Sequence, residues 1–331
     1  MCSPVAIFVY NRVDNTKTTI QSLLANTLAR ETDVFVFSDG VKVNDEGLTD
    51  EKSKRGVDEV RTYLRQLSKD VRHNGGFKSL TLIERERNIY LEENILTGID
   101  CVFQSYDTVI VLEDDISTSP YFLQYMNDAF RLYQDEHKVM HVSGFTNLDL
   151  WKSCDGQGYN GRDFYFTPHM SGWGWGTWKN RWERFFRHYS TREEALADMS
   201  DDDLRAFEYG GAFPCLKSLD KTPIPWDICW ELAIYKEGGL CLTPSHTMVR
   251  NTGLRNGTHF RSFDILQKFE YDRVPSTRLI NVEKVDNPEK DPLIEGQFAV
   301  AIKDWGIRYT LLGKIIRFFY KKLKVLAIVR M

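Results

Sequence analysis

What this chain of 331 residues lacks narrows it before any motif is read. Its six cysteines (Cys2, Cys101, Cys154, Cys215, Cys229, Cys241) are scattered, and no two have C-x-x-C spacing. That argues against a zinc-ribbon layout, and a chain of this size needs no disulfide framework to hold a core. No apolar run approaches the roughly 20 residues of a membrane-spanning helix. The opening MCSPVAIFVYNR has too short an apolar part, and no basic leader, for a secretory signal. Positive charge is not in excess: 43 Lys and Arg against 47 Asp and Glu leave a net charge of −4. Nucleic acid is therefore a poor candidate for the main partner. Internal repeats and low-complexity segments are also missing. The expectation is a cytoplasmic protein.

What remains is an ordinary globular composition, 42% hydrophobic and 27% charged, with a high aromatic share of 13% that includes eight Trp. The aromatics serve either a large core or a surface that stacks on sugars or bases. Four short apolar runs stand out in the first half: VAIFV, DVFVFSDG, SLTLIERERN and VIVLEDD. Helical spacing separates them, through Ile20, Leu23 and Leu24, then over 57–67, then over 94–103. Residues 44–54 read as a charged loop. Strands alternating with helices indicate βαβ units and a doubly wound, mostly parallel α/β sheet. In such sheets ligands bind outside the carboxyl ends of the strands. Arg12, Asp39 and the Glu113-Asp114-Asp115 triplet all fall at such ends.

The triplet poses the sharpest question. Folding alone gives no reason to place three mutually repelling carboxylates where a buried strand stops. Clustered carboxylates at a strand end commonly hold a hard divalent cation, with water or phosphate oxygens completing its shell. The spacing is not that of an EF-hand. Solvated acid clusters are also common, so the triplet alone leaves both readings open.

The segment LEDDISTSPYFLQYM resembles the metal-binding segment of inverting GT-A glycosyltransferases, in particular the N-acetylglucosaminyltransferase I family, of which this chain looks like a bacterial relative. Further short motifs follow in the same order over roughly residues 4 to 260: VYNR, FSDG, VSGFTN, MSGWGWGTW, PWDICWE and LTPSHTMVRNTGLRNGTHF. The resemblance implies a UDP-sugar donor such as UDP-GlcNAc and Mn2+ or Mg2+ as cofactor. It also implies a glycan or lipid-linked acceptor, in a surface-polysaccharide setting.

Residue by residue, the resemblance implies that Arg12 contacts the nucleotide and its diphosphate, and that Asp39 accepts a hydrogen bond from uracil. Asp115 would be the direct metal ligand, with Asp114 and Glu113 facing ribose and donor sugar. Asp227 matches the catalytic base, and the loop over 253–259 matches one that closes on the donor phosphates. Two departures matter. Ile228 stands where eukaryotic members carry a second acid, which leaves Glu231 as a rival base one helical turn on. Arg255 stands where a serine aligns, so the phosphate contact there would be charged.

Inverting transfer needs a base for the acceptor hydroxyl and stabilisation of a departing diphosphate, hence two separate acidic sites. The chain offers two. A nucleotidyltransferase would show a G-x-G-T-R loop after the first strand, where this chain has YNRVDN. A glycosidase reading, with paired carboxylates, leaves the strand-end residues unexplained. A carbohydrate-binding protein that has lost catalysis is the remaining alternative.

In domain terms, residues 1–150 read as the nucleotide-sugar half and 151–275 as the acceptor and catalytic half of one domain. A helix is expected over 193–209, and a strand followed by a glycine-bearing loop over 240–260. Residues 276–312 read as linker-like. Residues 313–331 form a basic tail whose apolar residues, among them Ile316, Phe319 and Leu323, share one helical face opposite Lys314, Arg317, Lys321 and Lys324. Such a tail suits an anionic membrane surface or a berth on the protein's own body, and the first would make the protein peripheral on the membrane.

Overall fold

The computed structural model describes residues 2–43, 48–74, 76–146, 161–210, 215–253, 275–290 and 294–296. Ten strands are described: β1 (Val5–Val9), β2 (Asp33–Ser38), β3 (Ser79–Glu84), β4 (Thr108–Glu113), β5 (Ile116–Thr118), β6 (Val139–Ser143), β7 (Phe164–Thr167), β8 (Trp175–Trp178), β9 (Leu240–Pro244) and β10 (Val249–Asn251). The α-helices are α1 (Val13–Leu24), α2 (Glu51–Asn74), α3 (Tyr90–Phe103), α4 (Phe122–Leu132), α5 (Lys179–Phe185), α6 (Arg192–Leu196), α7 (Asp201–Phe207) and α8 (Trp226–Lys236).

Eight strands form one sheet in the order β3-β2-β1-β4-β8-β6-β9-β7, while β5 and β10 form a separate antiparallel pair. β3, β2, β1 and β4 are parallel to one another. β8 runs against both β4 and β6, β9 runs parallel to β6, and β7 runs against β9. The sheet is therefore mixed and mostly parallel, as the alternating pattern of the first half predicts.

The all-apolar run of β1 follows from burial on both faces. Side chains alternate across a strand. Val5, Ile7 and Val9 meet Ile20 and Leu23 of α1, Val60 and Leu64 of α2, and Met126 of α4. Ala6 and Phe8 instead join Ile95 and Ile99 of α3 and Trp226 and Trp230 of α8. Each such fully buried large aliphatic contributes about 1.5–3 kcal/mol. The result is a three-layer sandwich whose two faces are sealed, leaving the strand ends open to a ligand.

Three local expectations change. α2 and α3 begin earlier than the apolar spacing suggests, at Glu51 and Tyr90: the first turn of α2 is charged, and Tyr90 and Leu91 at the start of α3 are exposed and so lie off the buried stripe. The helix expected over 193–209 is two helices, α6 and α7. Thr191 accepts from the Glu194 N–H, and Ser200 forms a capping box with Asp203, so a fresh start interrupts the run. The stretch expected to be a linker packs on the body over 275–290: Ile280 and Val282 are buried, the Asn281 N–H donates to Asp163 Oδ2 (3.1 Å), and the Val285 N–H donates to the Tyr133 hydroxyl (3.1 Å). Arg255, His259, Cys154 and the basic tail lie outside the described residues. No described helix is long and apolar enough to cross a membrane.

Candidate active site

β1 and β4 are neighbours in register, Phe8 opposite Glu113, so Arg12 and the acidic triplet emerge side by side. The Arg12 guanidinium bonds both carboxylate oxygens of Asp114, through Nη2 to Oδ1 and through Nε to Oδ2 at 3.3 Å. Its Nη2 also lies 2.8 Å from Asp115 Oδ2. Asp114 is buried, which pushes its pKa up to about 6 against the pull of Arg12. Glu113 is pushed up to about 8, by burial first and by the charges of Asp115 and Asp114 next. Both shifts disfavour full ionisation, so the triplet is less repulsive than its sequence suggests.

Asp115 is the corner between β4 and β5, and β10 pairs with β5. The Thr252 N–H (2.7 Å) and hydroxyl (2.9 Å) both donate to the Asp115 carbonyl oxygen. Gly253 follows, so close that a Cβ there would collide with the Asp115 carboxylate. Glycine is needed for this approach, whatever its φ. The loop that the sequence assigns to the donor phosphates thus starts at the triplet.

Asp39 closes β2 but spends its carboxylate on the protein. Oδ1 accepts from the N–H groups of Gly40 (2.8 Å) and Ile89 (2.9 Å), and Oδ2 accepts from Asn88 Nδ2 (2.8 Å). Burial nevertheless holds its pKa above the usual carboxylate range. Arg61 of α2 pins the same corner, donating to the carbonyls of Ser38 (3.4 Å), Asp39 (3.1 Å) and Arg85 (2.6 Å). Asp39 orders the loop that leads into α3.

α8 is buried on both sides, by the tryptophan cluster beneath it and by Ala195, Phe207, Leu216 and Leu219 above. Within WDICWELAIYK the two acids, Asp227 and Glu231, lie one turn apart on one face. They differ in what they do. Glu231 is buried and bonds through Oε1 to Nδ1 of buried His169 (2.6 Å). Asp227 is exposed at the first turn of α8. Burial raises its pKa, the charge of Glu231 raises it further, and the Ile228 N–H opposes. Asp227 also adds to the rise at Glu113, so tertiary structure sets the two strand-end and helix-start acids in one electrostatic neighbourhood.

Of the tryptophans in MSGWGWGTW, Trp175 and Trp178 are core residues. Trp175 stacks on Trp226 (ring centroids 5.0 Å apart) and on His141 (5.2 Å), and so supports the α8 start from below. Trp173 packs edge-on against Phe145 at the cluster margin. His169 and Arg61 had no signal in the sequence. Each acts through contacts whose partners are distant along the chain.

Among the described residues no three His, Cys, Asp or Glu side chains converge as a ready-made metal cage. The triplet does offer oxygen-only carboxylates, the donor type a hard cation prefers, with Asp115 Oδ2 at present contacted by the Arg12 guanidinium. Asp115 is the ligand that such an ion would use.

No family model and no curated protein matches the chain. Solved structures similar to it include the mannosyltransferase PcManGT from Pyrobaculum calidifontis in complex with GDP-Man and Mn2+. That match has 12% identity and a TM-score of 0.40, over 72% of this chain and 69% of that one. S. aureus TarS is similar at 16% identity and a TM-score of 0.30, over 43% of this chain and 21% of that chain. TarS 1–349 in complex with UDP-GlcNAc gives 16% identity and 0.29, over 43% of this chain and 34% of that one. The matched region thus spans well under half of the TarS chains. At these TM-scores none of the likenesses carries an argument about chemistry.

Proposed function

We propose that this chain is a metal-dependent inverting glycosyltransferase that moves a sugar from a UDP-sugar, UDP-GlcNAc-like, to a hydroxyl of a glycan or lipid-linked acceptor, in the synthesis of surface polysaccharide. One observation carries the reading. The end of a central parallel strand presents Arg12 with the acidic triplet, and α8 brings a separate, exposed carboxylate, Asp227, into the electrostatic neighbourhood of Glu113.

The division of labour follows from the surroundings. Asp227, exposed and with raised proton affinity, takes the proton of the attacking acceptor hydroxyl. Glu231 is the weaker candidate because His169 occupies its carboxylate. Arg12 can turn from the carboxylates to the diphosphate oxygens, a cationic contact matched to charge that grows as the leaving group departs. Asp115 would hold Mn2+ or Mg2+, and that ion supplies Lewis-acid stabilisation of the diphosphate when bound. Thr252 and Gly253 fix the start of the loop beside that carboxylate. The basic tail would keep the protein at the inner membrane surface, near a lipid-linked acceptor.

The test is a screen of sugar nucleotides for binding with and without Mn2+, on the wild-type chain and on Asp115→Ala. The reading requires metal-dependent binding of at least one nucleotide sugar that Asp115→Ala loses. Metal-independent binding, or full retention by Asp115→Ala, defeats it.

A further inference from the structure

Among the described residues, five large hydrophobic side chains are left exposed: Val43, Leu48, Tyr90, Leu91 and Leu279. All but Leu279 belong to one corner of the molecule, past the carboxyl ends of β2 and β3. Val43 and Leu48 stand on the turn after β2, which an antiparallel bridge between Val43 and Thr49 closes. Tyr90 and Leu91 open α3. The two stretches are drawn together at Gly40, which lies so near the backbone of Arg87 and Asn88 that a Cβ would not fit. Lys42 Nζ stands 5.3 Å from the centre of the Tyr90 ring. Apolar side chains gathered at a surface mark a place of binding, as scattered ones do not.

Tyr90 is held against its own preference. Its ring is 61% exposed, and its φ of 63° lies in the left-handed region, which a bulky L side chain disfavours. Such backbone persists only where its surroundings impose it. Here they do. The Asp39 carboxylate accepts from the N–H groups of Gly40 and Ile89 and from Asn88 Nδ2, all at 2.8–2.9 Å. The Tyr90 N–H also favours the ionised form of that carboxylate. Arg61 ties the carbonyls of Ser38, Asp39 and Arg85 together beside it. A carboxylate and a guanidinium from separate elements thus brace a disfavoured backbone, and what that backbone displays is a flat aromatic ring. Glycine would adopt the same φ without strain and display nothing.

The place of this corner narrows what binds there. Only β1 separates β2 from β4 in the sheet, so at about 4.8 Å per strand the corner stands about 10 Å along the crevice from the acidic triplet. A nucleotide whose diphosphate lies against Arg12 and the triplet extends its nucleoside along the strand ends, and the flat group it carries is the base. Every base has a π-face on which an aromatic side chain can stack.

We propose that Tyr90 is the platform on which the base of the donor nucleotide stacks, with Val43, Leu48 and Leu91 as its apolar surround. The proposal rests on the nucleotide-sugar reading of the site. Asp39 and Arg61 are then positioning residues that act through Tyr90.

Calorimetric titrations of UDP, GDP, dTDP and inorganic pyrophosphate with Mn2+ present, on wild type, Tyr90→Phe and Tyr90→Gly, test this. Tyr90→Phe keeps the ring and should bind the preferred nucleoside diphosphate within about twofold of wild type. Tyr90→Gly removes the ring and relaxes the backbone. Its melting temperature should hold or rise while that affinity falls about tenfold or more. Pyrophosphate affinity should move in neither variant. Unchanged nucleoside diphosphate affinity in Tyr90→Gly overturns the proposal. So does an equal loss for nucleoside diphosphate and pyrophosphate, which marks a disordered corner rather than a lost stack. If Tyr90→Gly does not fold, Tyr90→Asn, which also tolerates the left-handed region, is read by the same comparisons. A wild type that binds no nucleoside diphosphate defeats the nucleotide-sugar reading and this proposal with it, whereas equal binding by wild type and Tyr90→Gly rejects Tyr90 alone.

Discussion

Arg12 Nη2 stands 2.8 Å from Asp115 Oδ2 while the same guanidinium bonds both oxygens of Asp114. One cation thus occupies the oxygen edge that a divalent metal would use. A metal at Asp115 competes with this contact and frees Arg12 for phosphate. Arg12→Ala should therefore keep or improve binding of Mn2+ alone, yet weaken sugar-nucleotide binding by about tenfold or more, the scale of one lost charge-assisted contact. Calorimetric titration with each ligand separately checks both halves.

Asp227→Asn should lower transfer by about 10²–10⁴-fold with donor binding unchanged, since a general base contributes that much. Glu231→Gln should cost less activity, because its carboxylate is committed to His169. Its cost should show in stability instead, about 1–3 kcal/mol from a disturbed buried pair. Steady-state kinetics beside thermal melts distinguish the two, and a Glu231→Gln variant as dead as Asp227→Asn would exchange their roles.

Gly253→Ala places a Cβ into the Asp115 carboxylate. The strand pair beneath it is set by Val249 opposite Thr118, so relief must come from the carboxylate or the following loop. We expect a loss of about 1–3 kcal/mol in stability, typical of overpacking, and metal affinity reduced more than in a control such as Gly238→Ala, where a Cβ has open space but a positive φ. Melts and Mn2+ titrations of both variants measure this.

Acid sensitivity should have a contribution from His141. It is fully buried, accepts a hydrogen bond from Trp230 Nε1 (3.3 Å) and stacks on Trp175; burial takes its pKa from 6.5 down to about 3. The unfolded chain then binds the extra proton between those values and the folded chain does not. Stability from this group is complete above about pH 6.5, falls as pH drops, and stops changing near pH 3. His141→Gln should flatten that part of the stability–pH curve; denaturant melts from pH 4 to 8 would show it, and an unchanged slope would contradict the burial argument.

Much of the fold over residues 2–146 was legible because local patterns and tertiary demands coincide there. Val5–Val9 and Thr108–Glu113 are buried on both faces, so their unbroken apolar runs announce them, and polar residues at their ends mark the open crevice. The stretch beyond residue 160 was harder. The break between α6 and α7 turns on the Ser200 cap, and the packed segment around Ile280 and Val282 looked like a linker because its partners, Asp163 and Tyr133, are remote.

By itself the sequence determined which residues end the strands, since strand period and burial are local properties written in consecutive side chains. It also singled out Asp227 and Glu231 as candidates without ranking them. Only the tertiary structure decided what each carboxylate is free to do. His169 engages Glu231, Asn88 and two backbone N–H groups engage Asp39, Arg12 bridges Asp114 and Asp115, and Asp227 is left exposed. The physical reason is that a carboxylate's proton affinity and availability are set by the desolvation and hydrogen bonds around it. Those come from residues that only folding brings near.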